Sequence, residues 1–289
     1  MPKYINPYST EAKKQVNYNK KDPPITIKLA SWSVDGNVDA AKRNEIDKVL
    51  FENGVDIACI QDTQLSNDSL ESKNYKWHII GKTTKDSIIQ EGIAILARKE
   101  ISSFVMNINA ITDNILACNV KMNRESILVV SAHISQDDDG DEFKFLEQYL
   151  SLNNKKSTIV LGNFNAEIGE QDITGNYEEY FGDNLLHKIS NKNGKMLKNM
   201  VKAANYNVKN TWSNTSRSLK ATCVAADGRE SQIDHILTSG GGKILTKSIT
   251  CTPVKNVKTT HKLILCEISI LYGQKPPVSR VSIKLVSYY

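Results

Sequence analysis

The sequence predicts an α/β domain of two packed sheets covered by helices, on three observations. A strand, helix, strand unit opens the folded part. In it, ITIKLASW (25–32) alternates, Asp39 to Asn53 sets Ile46, Val49 and Leu50 at helical spacing, and VDIACIQ (55–61) is a short, wholly apolar strand. A run of strand-like segments follows in KWHII (76–80), EGIAILA (91–97), ISSFVMNI (101–108), ILACNVKM (115–122) and ILVVSAHI (127–134). A second mixed set then begins with a helix over 142–153, with Phe145, Leu146 and Tyr149 on one face, and the buried strand STIVLGNF (157–164). After a long loop comes a helix from about Lys195 to Ala204, started by Asn193. The last strands lie in VAADGRESQIDHIL (224–237), KILTKSITCTPV (243–254) and HKLILCEISI (261–270).

The 289 residues, 40% hydrophobic and 24% charged, suffice for one large domain and exclude disorder over the whole length. Net charge is +5, which invites a nucleic-acid reading until it is located. Residues 1–24 carry Lys3, Lys13, Lys14, Lys20 and Lys21 against Glu11 and Asp22, a net of +3; residues 272–289 carry Lys275, Arg280 and Lys284 with no acid, again +3. Subtracting both arms from +5 leaves −1 on the body at 25–271. The organisation expected is therefore an extended polar N-terminal arm (1–24), one folded domain (25–271) and a basic C-terminal tail (272–289).

No apolar run reaches membrane-spanning length, so no membrane partner is expected. The start MPKYINPYSTEAKKQ lacks the apolar core of a secretory signal, and an intracellular protein is expected, nuclear or cytoplasmic alike. Five cysteines without CxxC spacing, mostly in apolar runs, read as buried free thiols. DDDGDE (137–142) has calcium-loop composition, but with Gly140 as the sixth residue the twelfth is Leu146 where a Glu is needed. It reads instead as a loop capping the following helix.

Polar residues gather where apolar strands end: Gln61, Asp62 and Thr63 after VDIACI, Asn163 and Asn165 around the end of TIVLG, and Asp234 with His235 in QIDHIL. Strand ends are where α/β scaffolds build sites, although each segment alone is also an ordinary strand-to-loop boundary. Their joint order carries the inference. The series ASWSV (30–34), DIACIQDT (56–63), EGIAIL (91–96), VVSAHIS (129–135), IVLGNFNAEIG (159–169), NKNGKML (191–197), VKNT (208–211), QIDHIL (232–237) and TTH (259–261) resembles the endonuclease/exonuclease/phosphatase superfamily. The likeness is greatest to the apurinic-type endonuclease domain of non-LTR retrotransposons, and it covers residues 25 to about 271. It implies a DNase I-like four-layer α/β sandwich and Mg²⁺-dependent hydrolysis of a phosphodiester.

Residue by residue, the resemblance matches Asn165, Asp234 and His261 to catalytic positions and departs elsewhere. Ser33 stands where an Asn is expected, Asp62 for the metal-binding Glu, His133 for a phosphate-positioning Tyr, Asn163 for the Asp that handles the attacking water, and Thr260 for an Asp before the terminal His. Asp62 keeps a carboxylate retracted by one methylene, so it is at best a weak metal ligand. An amide at Asn163 cannot act as general base. Thr260 is read as removing the carboxylate that orients His261, a loss worth ~10⁴ in rate in a serine protease. Ser33 is too short to replace an Asn amide.

The expectation is a catalytically inactive nuclease-like domain kept as a binding or structural component of a protein assembly, engaged through its arms, with no cofactor. The alternatives are a weak Mg²⁺ endonuclease and a non-catalytic nucleic-acid-binding module. For nucleic acid, Asn191, Asn193 and Lys195 with neighbouring lysines are candidate backbone contacts, as against a solvated helix face. Trp212 and Tyr206 are candidate stacking residues, as against core aromatics.

Overall fold

The computed structural model describes residues 26–83, 89–122, 125–212, 220–239 and 244–270. Both arms lie outside the described residues.

Two β-α-β units set the frame. Strand β1 (Thr26–Ser33) leads into α1 (Ala40–Glu52) and back to β2 (Ile57–Gln61), parallel to β1 with Ser33 beside Gln61. The meander β3 (Asp68–Glu71), β4 (Tyr75–Thr83) and β5 (Ile89–Arg98) continues that sheet. Strands β6 (Val105–Thr112), β7 (Ile115–Met122) and β8 (Glu125–His133) open the second sheet, and α2 (Asp141–Leu152) returns the chain as β9 (Ser157–Asn163), parallel to β8 with His133 beside Asn163. Then come α3 (Lys192–Ala204), β10 (Tyr206–Val208), the short ribbon of β11 (Cys223–Val224) and β12 (Glu230–Ser231), β13 (Asp234–Ser239), β14 (Ile244–Thr252) and β15 (Leu263–Ile270). The sheet orders are β14-β15-β1-β2-β5-β4-β3 and β10-β13-β9-β8-β7-β6.

Parallel strands need a crossover, and each parallel pair here has a helix as its connection. Strands β1, β2, β8 and β9 therefore deliver their last residues to a common edge, the usual place for a site in such sheets.

Alternation along the strands builds three apolar layers. Leu29, Ile57, Cys59 and Ile95 point between the sheets to meet Val129, Ile159, Leu161 and Ile236. Their neighbours Ala30, Trp32 and Ile60 face out to Ile46, Val49 and Leu50 of α1, while Leu128, Val130 and Val160 face out to Leu146, Leu150, Leu197 and Val201 of α2 and α3. The central strands are covered on both faces, which is why VDIACI and TIVLG read as unbroken apolar runs. At Gly162 of β9 the sheet is so close that a Cβ would sit 1.9 Å from the Ala132 carbonyl oxygen.

Several local expectations are corrected. In ISSFVMNI the first residues belong to a 3₁₀ turn over Lys99–Phe104, closed by Ser102 Oγ donating to the Lys99 carbonyl at 2.9 Å, and the strand starts at Val105. The buried face of α2 is Phe143, Leu146 and Leu150, whereas Phe145 is 51% exposed and Tyr149 half-buried. Helix α3 starts earlier than expected, because its N-cap is Asn191, whose Oδ1 accepts the Gly194 N–H at 2.7 Å. The acidic loop does cap α2: the Asp138 carboxylate accepts from Gly140 N (2.9 Å) and Glu142 N (3.4 Å). All five cysteines are free and buried.

Candidate active site

At the shared edge the backbone turns sharply. Asp35, Asn37, Asp62, Gln64 and Asn165 all have φ between 47° and 53°, the left-handed region that short polar side chains tolerate best. Such conformations persist only where surroundings hold them, and they gather at functional sites. Two hydrogen bonds tie the first two turns together, Val34 N to the Gln61 carbonyl (3.0 Å) and Gly36 N to the Asp62 carbonyl (2.8 Å). Lys42 of α1 reaches back to donate to the carbonyls of Val34 and Gly36. Burial lowers the Lys42 pKa, against the pull of Asp35, Asp62 and Asp39.

Opposite these turns, Asp234 at the start of β13 and His261 just before β15 form a buried pair. His261 Nδ1 lies 2.9 and 3.1 Å from the two carboxylate oxygens of Asp234, and the residues are 8% and 2% exposed. Burial alone would lower the His261 pKa, but the charge and hydrogen bond of Asp234, with Cys223 adding, outweigh it and raise the value to about 11. His261 is thus an imidazolium at neutral pH. Its segment is pinned to β1: Trp32 Nε1 donates to the His261 carbonyl (3.2 Å), and Thr259 Oγ1 accepts from His261 N (3.1 Å) while donating to the Ser33 carbonyl (2.8 Å).

This pair corrects the reading of Thr260. The carboxylate that orients His261 comes from Asp234, 27 residues away in sequence and on the other sheet, so the threonine beside His261 removes no orienter. Thr260 instead donates through its N–H (2.5 Å) and hydroxyl (2.9 Å) to Asp35 Oδ2, and Asp35 Oδ1 stands 3.9 Å from His261 Nε2. Asp35 was missed in the sequence, where the Asp-Gly step after the first strand is an ordinary turn signal.

Asn163 occupies the middle. Its register neighbours are His133 on β8 and Asp234 on β13, and it is 4% exposed. Its Oδ1 accepts the Asn165 N–H at 2.9 Å, and Asn165 Nδ2 donates to the Ile134 carbonyl at 2.8 Å. His133 is 9% exposed and among the described residues its Nδ1 has no hydrogen-bond partner; burial lowers its pKa, opposed by Asp62 and Glu91. Burial raises the Asp62 pKa, with Asp35 and Glu91 adding and His133 and His261 opposing. Glu91 Oε2, near the start of β5, is buried and has no hydrogen-bond partner among the described residues. Ser33 is 2% exposed at the end of β1.

Magnesium prefers six oxygens in near-octahedral array. Here Asp35 and Glu91 lie near Asp62, but Oδ2 of Asp35 is held by Thr260, position 163 is an amide, and among the described residues no three His, Cys, Asp or Glu side chains converge to hold an ion. The donor set does not fit the metal. Of the other candidates, Asn191 and Asn193 are committed to the frame, Asn191 as the α3 cap and Asn193, 1% exposed, donating to the carbonyls of Ser135 and Phe164. Lys195 is exposed on α3. Tyr206 is buried at 1%, whereas Trp212 is 45% exposed.

Comparison with known proteins agrees with this fold. The pattern of the endonuclease/exonuclease/phosphatase family matches residues 30–255. The chain belongs to that family. Among solved structures, the endonuclease domain of TRAS1, a telomere-specific non-LTR retrotransposon, superposes with a TM-score of 0.59 at 13% identity, covering 86% of this chain and 99% of that one. The AP endonuclease LMAP from Leishmania major gives 0.60 at 12% identity, covering 84% and 88%. The 3'-5' exonuclease NExo from Neisseria meningitidis gives 0.56 at 15%, covering 83% and 98%. At these identities the likeness is one of fold. No curated protein matches in sequence. In this member of the endonuclease/exonuclease/phosphatase family, Asp234 and His261 form a joined pair and the residue that ends β9 is an amide, Asn163.

Proposed function

We propose that this family member is retained for binding and not for cutting. The observation that carries the reading is Asn163: the strand end between His133 and Asp234 presents a hydrogen-bonded amide, which cannot take a proton from water. The charge of the mouth supports it. Asp35, Asp62, Glu91 and Asp234 face Lys42 and His261, an excess of carboxylates that disfavours a phosphate unless a cation intervenes. The partner is read as protein, engaged through the arms, since the body carries −1 and the basic excess lies at 1–24 and 272–289.

A weak Mg²⁺-dependent phosphodiester hydrolase is the second reading, favoured by the intact Asp234–His261 pair. Incubating supercoiled plasmid, intact or abasic, with Mg²⁺ or Mn²⁺ separates the two. Retention for binding expects no nicking; turnover that His261→Ala abolishes would establish the hydrolase. Affinity for DNA or RNA that falls steeply with salt would replace the protein partner by nucleic acid.

A further inference from the structure

Four of the cysteines, Cys59, Cys118, Cys251 and Cys266, belong to the packing between the sheets, where burial raises their pKa. Cys223 is placed differently. It lies on the β11 ribbon at the edge of the site, and it forms a one-residue antiparallel bridge with His261, so the two side chains start from adjacent backbones. Its thiol donates to Thr260 Oγ1 at 3.6 Å, and the His261 ring across the bridge is held by Asp234 through Nδ1. Carboxylate, imidazole and thiol are thus neighbours, brought together from β13, the segment before β15, and β11.

We propose that Cys223, His261 and Asp234 act together as an activated thiol, a site of covalent modification by small disulfides and alkylating electrophiles at the mouth of the nuclease fold. A thiol beside a cationic imidazole is the arrangement in which sulfur is reactive near neutral pH. The step balances simply. The thiol proton resides on the imidazole, the thiolate attacks one sulfur of the disulfide, a new S–S bond forms, and the second sulfur leaves as thiolate. Cys223 is oxidised to a mixed disulfide and the reagent is reduced. Burial works against ionisation, but the hydrogen bond and charge of His261 outweigh it, together with Thr260, and bring the Cys223 pKa below that of an ordinary thiol. The titratable groups around the pair are Asp234, Asp35, Asp62 and His133.

The test uses the full chain and a small aromatic disulfide whose released thiolate is coloured, with the modified residue located by mass spectrometry. The expected result is one fast equivalent at Cys223 between pH 6 and 8, with the other four cysteines reacting only after denaturation. The rate should rise less steeply with pH over that range than that of an ordinary thiol, which gains about tenfold per pH unit below its pKa of about 8.5. His261→Gln and Asp234→Asn should each slow labelling at pH 7 by about tenfold or more and restore the steep pH profile, with folding of each variant checked by its melting curve. The wild-type profile needs no variant, so it decides the matter even if a variant fails to fold. Labelling of Cys223 no faster than the buried cysteines, or a steep wild-type profile, would overturn the proposal. Neither outcome depends on whether the domain binds or cuts.

Discussion

Replacing His261 by Gln should destabilise the protein in a pH-dependent way that can be worked out from the buried pair. The variant leaves Asp234, 2% exposed, without its cation. Breaking a buried ion pair by removing one partner costs about 3–5 kcal/mol. The Gln amide can return one hydrogen bond of about 1 kcal/mol, leaving roughly 2–4 kcal/mol lost on the two estimates combined. For a body of this size each kcal/mol lowers Tm by about 2–4 °C, so calorimetry at pH 7 should show a fall of roughly 4–16 °C. The sign of the pH effect follows from the raised pKa. His261 binds its proton more tightly folded, at about 11, than unfolded, near 6.5, so its contribution is fully present below pH 6.5 and is lost as pH rises towards 11. Wild-type stability should therefore decline over that window by up to about 1.4 kcal/mol per pH unit, relative to the variant, which lacks the decline. Parallel pH profiles for the two proteins, or a Tm change within 1 °C, would refute the reasoning.

Other consequences are simpler. Lys42→Met removes both bonds to the Val34 and Gly36 carbonyls and should cost about 1–3 kcal/mol, read as a lower urea midpoint. Asp47→Ala strands the donors of Ser72 and Asn74 under α1, and a loss of about 2 kcal/mol by the same assay is expected. Gly162→Ala pushes a methyl into the Ala132 carbonyl and should cost roughly 3 kcal/mol or prevent soluble expression. Asn163→Asp combined with Ser33→Asn and Asp62→Glu should create Mg²⁺-dependent plasmid nicking, about 10² or more above Asn163→Asp alone. A triple variant that folds but never nicks would mean that the lesion lies elsewhere.

The long strands were legible because burial on both faces writes itself as apolar runs, and Asp62, Asn163 and Asp234 because they follow or open such runs. Where the structure departs from the sequence reading, the cause is local geometry. Strands β3 and β10 are four and three residues long and lie at sheet edges, too short for alternation to register. On α2 a shift of phase exchanged Phe145 for Phe143, since several apolar residues compete for one face. Asp35 projects from a left-handed turn with no periodicity. Sequence adjacency suggested position 260 as the orienter of His261, whereas the sheets bring Asp234 across from another strand. The approach of Cys223 to that ring rests on a single bridge between two loops and leaves no trace in spacing.

The pairing of the first strand with the last has a consequence for the molecule's polarity. Thr26 and Ser269 are direct partners on β1 and β15, so the two +3 segments are attached at neighbouring points. That anchor lies at the start of β1, whose eight residues span about 23 Å at ~3.3 Å each to the carboxylate-rich mouth. The strand ends from which the two segments continue thus lie at one end of the domain, and the acidic opening lies at the other. A fusion or label joined at Thr26 or Ile270 would therefore start on the side of the domain away from its opening.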